Sequence, residues 1–212
     1  MSQTWPETNK RDVVGKLVGP EPVKALELAR SIADPWYRCQ SLAHVAWHLK
    51  DQLQSSKIIK EALTAAFELD QPNRIVSVAS WAVRVMVKNG DQRLGLVVDE
   101  LLDKIQLELN PIRQADALLF LFEAVYHEPQ LRDRVLDPLL RACEQMKSWK
   151  RPRILSDIAR VLAIDDPNRA SQVVDTIGEG RYSRRTRSDI DAGKWLGPHE
   201  FFPYYAKQPS HA

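Results

Sequence analysis

Apolar positions recur along this chain with the period of an α-helix, in segments that come in pairs. Four segments align on an arginine near a helix start: Asp34-Pro35-Trp36-Tyr37-Arg38, Gln71-Pro72-Asn73-Arg74, Asn110-Pro111-Ile112-Arg113 and Trp149-Lys150-Arg151. The arginines stand 36, 39 and 38 residues apart. Downstream of each, offsets of 4, 7, 8 and 11 are mostly apolar: Leu42, Val45, Ala46 and Leu49 after Arg38, and Leu155, Ile158, Ala159 and Leu162 after Arg151. Those offsets share one helical face. Upstream of each arginine runs a second amphipathic segment, such as Ile59, Ala62, Leu63, Ala66 and Leu69, or Leu94, Val97, Val98, Leu101, Leu102 and Ile105. A fifth upstream segment, Ala170, Val173, Val174 and Ile177, follows Asp166-Pro167.

The boundaries have a local cause. Asp or Asn before Pro puts a side-chain acceptor at the N-cap and a residue without an N–H at the first helical position. Asp34-Pro35, Asn110-Pro111 and Asp166-Pro167 follow that rule, and Gln71-Pro72 is a weaker form of it. Short connections make neighbouring helices antiparallel, and a single pair cannot bury its apolar stripes without stacking on the next. The pattern predicts an all-α, α-α superhelix (solenoid) of about four and a half antiparallel helix pairs. It places an irregular N-terminal lead at 1–20, the repeat array at 21–177, and an Arg-rich, aromatic C-terminal extension at 178–212. Asp137-Pro138 falls inside the fourth upstream helix, where it either kinks or restarts the helix.

The segment Ala25-Leu26-Glu27-Leu28-Ala29-Arg30-Ser31-Ile32-Ala33-Asp34-Pro35, continued by Arg38, Leu42 and Val45-Ala46, resembles the α-solenoid repeat families. It is most similar to bacterial HEAT-like or TPR-like repeats reading A-L-x-L-A-x-x-I-x-D-P-x-x-R-x-x-x-L-x-x-I-A. The resemblance spans about residues 21–177 and loosens in the third and fourth pairs. The Trp, Leu-Gly, Tyr and Pro signature of true TPR motifs is absent. What the resemblance implies is a fold, and almost nothing about activity.

Composition narrows the picture only a little. Apolar residues make up 44% and charged residues 27% of the 212, which suits a globular chain rather than a disordered one. Thirty basic residues against 28 acidic ones leave +2, so whole-chain charge selects no partner. No apolar run reaches membrane-span length, and the opening residues Met1 to Thr8 carry no apolar core of a secretory signal. Two widely spaced cysteines, Cys39 and Cys143, do not make a disulfide framework. These features predict a cytoplasmic protein with no membrane association.

Candidate chemistry is sparse. His44 and His48, four apart on one helix with Cys39 and Asp51 near, have the spacing of a metal pair but no third ligand or His-Glu-x-x-His pattern. Neither cysteine has a nucleophile's flanking signature, and no phosphate-cradling glycine loop exists. No catalytic residue, metal or cofactor is therefore assigned, and an enzyme with a site near His44 and His48 stands only as a third reading. The arginine ladder Arg38, Arg74, Arg113 and Arg151 reads as structural, each stem crossing a turn to an acidic group or carbonyl of an adjacent helix.

Two basic stretches stand apart: Lys147, Trp149, Lys150 and Arg153 (147–153), and Arg181, Arg184, Arg185 and Arg187 beside Tyr182 (181–187). Cations interleaved with aromatics suit phosphate neutralisation and base stacking, so nucleic-acid binding is the second functional reading, by analogy with HEAT-like DNA glycosylases. The tail contributes Trp195, Phe201, Phe202, Tyr204 and Tyr205, too many large apolar groups for a solvating end. It either folds back to cap the array or docks on a partner, including a second copy of this chain. With no catalytic constellation, the leading expectation is a protein–protein interaction module or scaffold presenting a curved helical surface.

Overall fold

A computed structural model describes residues 6–193 together with 201 and 202. Among the described residues the protein is all-α, with eleven helices and no strand. They are α1 (Glu7–Leu17), α2 (Pro22–Arg30), α3 (Pro35–His48), α4 (Gln52–Phe67), α5 (Pro72–Asn89), α6 (Leu94–Ile105), α7 (Pro111–Ala124), α8 (Pro129–Gln145), α9 (Lys150–Leu162), α10 (Pro167–Ile177) and α11 (Arg181–Asp191). Their described parts fall into two compact units: residues up to Val97 with Phe201 and Phe202, and residues from Val98 to Gly193. The division lies inside α6, within the stretch that the sequence pattern reads as one array.

The helix starts follow the capping chemistry. Asp34 accepts from the backbone N–H of Trp36 at 2.8 Å, and Asn110 from those of Ile112 and Arg113 at 3.0 and 3.2 Å. Asp166 accepts from Arg169 N–H at 3.0 Å. Asp51, with no proline behind it, caps α4 in the same way through Leu53 and Gln54. Gln71 makes no side-chain cap bond, as a side chain one methylene too long for the geometry would not. At its far end α5 stops on Gly90 at φ +61°, and Asp91 N–H reaches back to Met86 C=O at 3.0 Å, a left-handed stop that favours glycine.

In the first unit α1 packs on α2 and α3, α3 on α4 and α5, and α4 on α5. In the second, α7 packs on α8 and α9, α9 on α10 and α11, and α10 on α11. Within each unit the odd-numbered helices thus neighbour one another, with α2, α4, α8 and α10 laid against them. Helices α3, α5, α7 and α9 bury the most residues: α5 buries nine, among them Ile75, Val76, Val78, Ala79, Val83 and Met86. Alanines at or near complete burial, such as Ala43, Ala46, Ala62, Ala66, Ala79 and Ala82, let neighbouring backbones approach closely.

Polar links repeat with the helices. Between even helices, Arg30 holds Glu61 in a two-pronged pair at 2.7 and 2.8 Å, Arg134 meets Asp99 at 3.1 Å, and Arg169 meets Asp133 at 2.8 Å. Between odd helices, Arg11 lies over Tyr37 and Arg74 over Trp36, each 5.5 Å from the ring centre. Lys150 meets Asp116 at 2.9 Å and Arg160 meets Asp189 at 3.0 Å.

Two expectations need correction. Residues 1–20 are not an irregular lead, since α1 occupies Glu7–Leu17 and packs where an odd helix belongs. The helical period also does not stop at Ile177: α11 follows and packs on α9 and α10. Both helices escaped the periodicity because they bury so little apolar surface. Helix α1 buries Val14 and Gly15, and α11 buries only Ser183 and Thr186. Polar contacts hold α11 instead: the Thr186 hydroxyl meets the buried Ser156 hydroxyl, and Asp189 takes Arg160. Pro138 neither restarts nor ends α8, which runs through it from Pro129 to Gln145. It leaves the Arg134 carbonyl without its helical donor.

Candidate interaction surface on the odd-numbered helices

The arginine ladder resolves into clamps at two of its four rungs. Arg38 donates to the carbonyls of Ile32 and Ala33 at 3.1 and 3.2 Å and pairs with Glu68, tying the end of α2 to the end of α4. Arg151 makes a similar clamp in the second unit, donating to the carbonyls of Cys143 at 3.1 Å and Thr176 at 3.2 Å, in the last turns of α8 and α10. Arg74 stacks on Trp36 instead. Arg113 points outward, and the adjacent Gln114 makes the bond to the preceding helix, donating to Ile105 C=O at 3.3 Å.

The most developed cluster lies in the first unit, on α3 and α5. His44, Trp47 and His48 stand at i, i+3 and i+4 on α3, and Trp81, Arg84 and Lys88 at i, i+3 and i+7 on α5, so each set shares a face. Phe201 and Phe202 lie across them, 3% and 7% exposed. The Phe202 ring stacks on Trp47, with centroids 4.7 Å apart, meets Trp81 edge-on at 5.4 Å and touches His44 at 5.4 Å. Phe201 meets Trp81 edge-on at 5.5 Å. Offset-stacked and edge-to-face geometries are those aromatic quadrupoles favour. Two cations also lie over Trp47, Lys88 Nζ 4.6 Å and Arg84 5.9 Å from the ring centre. Lys88 also donates to the Trp47 carbonyl.

The histidines follow from that packing. Burial pushes His44 down to about 4, with His48 beside it adding to the effect, so the ring is neutral at neutral pH. Burial also lowers His48, and the charge of Lys88 adds to it. No group of three or more His, Cys, Asp or Glu among the described residues is placed to hold a metal. Both thiols are deeply held as neutral groups. Cys39 is fully buried, its pKa raised by desolvation, and it donates to Val78 C=O. Burial pushes Cys143 up to about 12. A thiol so raised is a poor nucleophile.

The basic stretches are largely paired. Lys150 binds Asp116, Arg153 lies 3.8 Å from Asp157, Arg185 lies 3.8 Å from Asp189, and Arg187 pairs with Asp175. Arg184 Nε donates to Gly180 C=O at 3.4 Å. Lys147 and Arg181 are exposed, and Trp149 is 70% exposed. Arg184 and Arg187 line a groove of about 720 Å³ together with Asp175 and Glu179, so its charge is mixed. Of the aromatic tail, Trp195, Tyr204 and Tyr205 lie outside the described residues, while Phe201 and Phe202 cover α3 and α5. Trp47, Trp81, Arg84 and Lys88 are the participants that sequence reasoning did not single out. The available signal was a tryptophan with a cation three residues on, Trp81 and Arg84, on a helix free of acidic residues. No helix among the described residues is long and apolar enough to cross a membrane. The chain matches no protein-family model, no curated protein and no solved structure.

Proposed function

We propose that this protein is a non-enzymatic interaction module, a HEAT-like superhelical repeat that works by presenting a face of its odd-numbered helices to a protein partner. The observation that carries this reading is the aromatic cluster of α3 and α5. A face that stacks an aromatic pair from elsewhere in the chain, between two tryptophans, has the make-up of an interface hot spot. Buried, unreactive thiols and a neutral His44 support a binding role over a chemical one.

The reading is tested with a photo-reactive amino acid placed in the full chain at His48, on that face, at Trp149, exposed in the second unit, or at Leu53, exposed on α4. Discrete adducts with another protein from the first or second position, and none from Leu53, are expected. Adducts from no position, together with turnover of a small substrate, would overturn the reading. For nucleic-acid binding through 147–153 and 181–187, the carboxylate pairing of Lys150, Arg153, Arg185 and Arg187 is unfavourable, because each phosphate contact must displace an ion pair. Weak duplex binding at low salt, lost on neutralising Lys147 and Arg181, is the outcome that would restore it.

A further inference from the structure

Helices α3 and α5 contain no Asp or Glu, and carry Arg38, Arg74, Arg84 and Lys88 as well as both histidines of the cluster. Arg38 is paired with Glu68 and Arg74 stacks on Trp36, so Arg84 and Lys88 are the cations beside the aromatic cluster. The segment seated on this face of α3 and α5 is Phe201-Phe202. Its rings meet Trp47, Trp81 and His44, with Arg84 and Lys88 flanking Trp47.

We infer that this face is a peptide-binding site for a segment of a partner protein bearing two adjacent aromatic residues, and that Phe201-Phe202 is a built-in occupant competing for it. The inference rests on the interaction-module reading and names its site and ligand class. A peptide occupant is favoured over a nucleic acid because a peptide is what the tryptophans already hold. A tethered occupant competes at an effective concentration on the order of millimolar, so partner binding to the intact chain is masked. Removing the two phenylalanines unmasks it without touching Trp47, Trp81, Arg84 or Lys88.

The test uses the full chain, intact and as the double variant Phe201→Ala/Phe202→Ala, with helix content checked by circular dichroism. The probe is a fluorescent peptide of residues 197–205, Gly-Pro-His-Glu-Phe-Phe-Pro-Tyr-Tyr, read by anisotropy. The double variant is expected to bind it saturably and at least about ten-fold more tightly than the intact chain, since millimolar competition is removed. Replacing both phenylalanines of the peptide with alanine should abolish binding, as should Trp47→Ala in the double variant.

A folded double variant that fails to bind the peptide, or an intact chain that binds it equally well, overturns the inference. So does binding of a thymidine 20-mer in place of the peptide. Sedimentation of the intact chain as a concentration-dependent dimer that the double variant loses would overturn it too, by assigning the face to a second copy's tail. Failure here is separable from failure of the broader reading: photo-adducts at Trp149 of the double variant, with none at His48 of that variant, leave the interaction module standing and remove this site.

Discussion

At the residue scale, the sharpest consequences belong to buried polar groups. His44 has its folded pKa depressed to about 4 against an ordinary value near 6.5. A depressed base makes the unfolded state the better proton acceptor. The stability His44 contributes is therefore complete above about pH 6.5 and is lost as pH falls towards 4, by up to about 3 kcal/mol. His48 beside it opposes the charge, as Lys88 opposes a charge on His48. Urea midpoints measured between pH 7 and pH 4 should fall more steeply for the wild type than for His44→Leu, and equal slopes would refute the assignment. The arginine ladder makes a paired prediction. Arg38→Ala removes a group bonded to two carbonyls and a carboxylate, and should cost about 1–3 kcal/mol. Arg113→Ala, on an exposed side chain, should stay within about 0.5 kcal/mol. Denaturant unfolding of the two variants side by side checks both. The sequence showed the ladder's regularity but not its division of labour, because a shift of one residue hands the third rung's carbonyl bond from Arg113 to Gln114.

At the scale of elements, what could be read from the sequence depended on how each helix is held. Helices α3, α5, α7 and α9 bury apolar residues at regular offsets, and the capped Asp34-Pro35 and Asn110-Pro111 starts give the positions of α3 and α7 to within a residue or two. Helix α11 was invisible to the same reasoning, for it has hydroxyls and an ion pair where an apolar stripe would be. That difference is measurable. Thr186→Val leaves the buried Ser156 hydroxyl without this partner and should destabilise by about 1–3 kcal/mol. Amide exchange should rise most over 181–191, because the loss falls on an element with little apolar contact of its own. Uniform exchange along α9, α10 and α11 would contradict that account. Asp34→Ala at the α3 cap should cost about 1 kcal/mol, read from the same unfolding curves.

On the scale of the whole molecule, Phe202 joins sequence positions more than 150 residues apart, stacking on Trp47 and touching His44 of α3. The aromatic richness of the tail was plain from the sequence, but where it lands was not, since periodicity describes a helix face and carries no address for a segment outside the repeat. Trp47 and Trp81 look like core residues at helical spacing until Phe201 and Phe202 are seen against them. The most direct test of the account is the pattern of nuclear Overhauser contacts in the full chain, with phenylalanine, tryptophan and histidine rings selectively labelled. Cross-peaks from the Phe202 ring to Trp47, Trp81 and His44, unchanged on ten-fold dilution, are the predicted result. Phe201 and Phe202 resonances at random-coil positions, with no contact to either tryptophan, would contradict it.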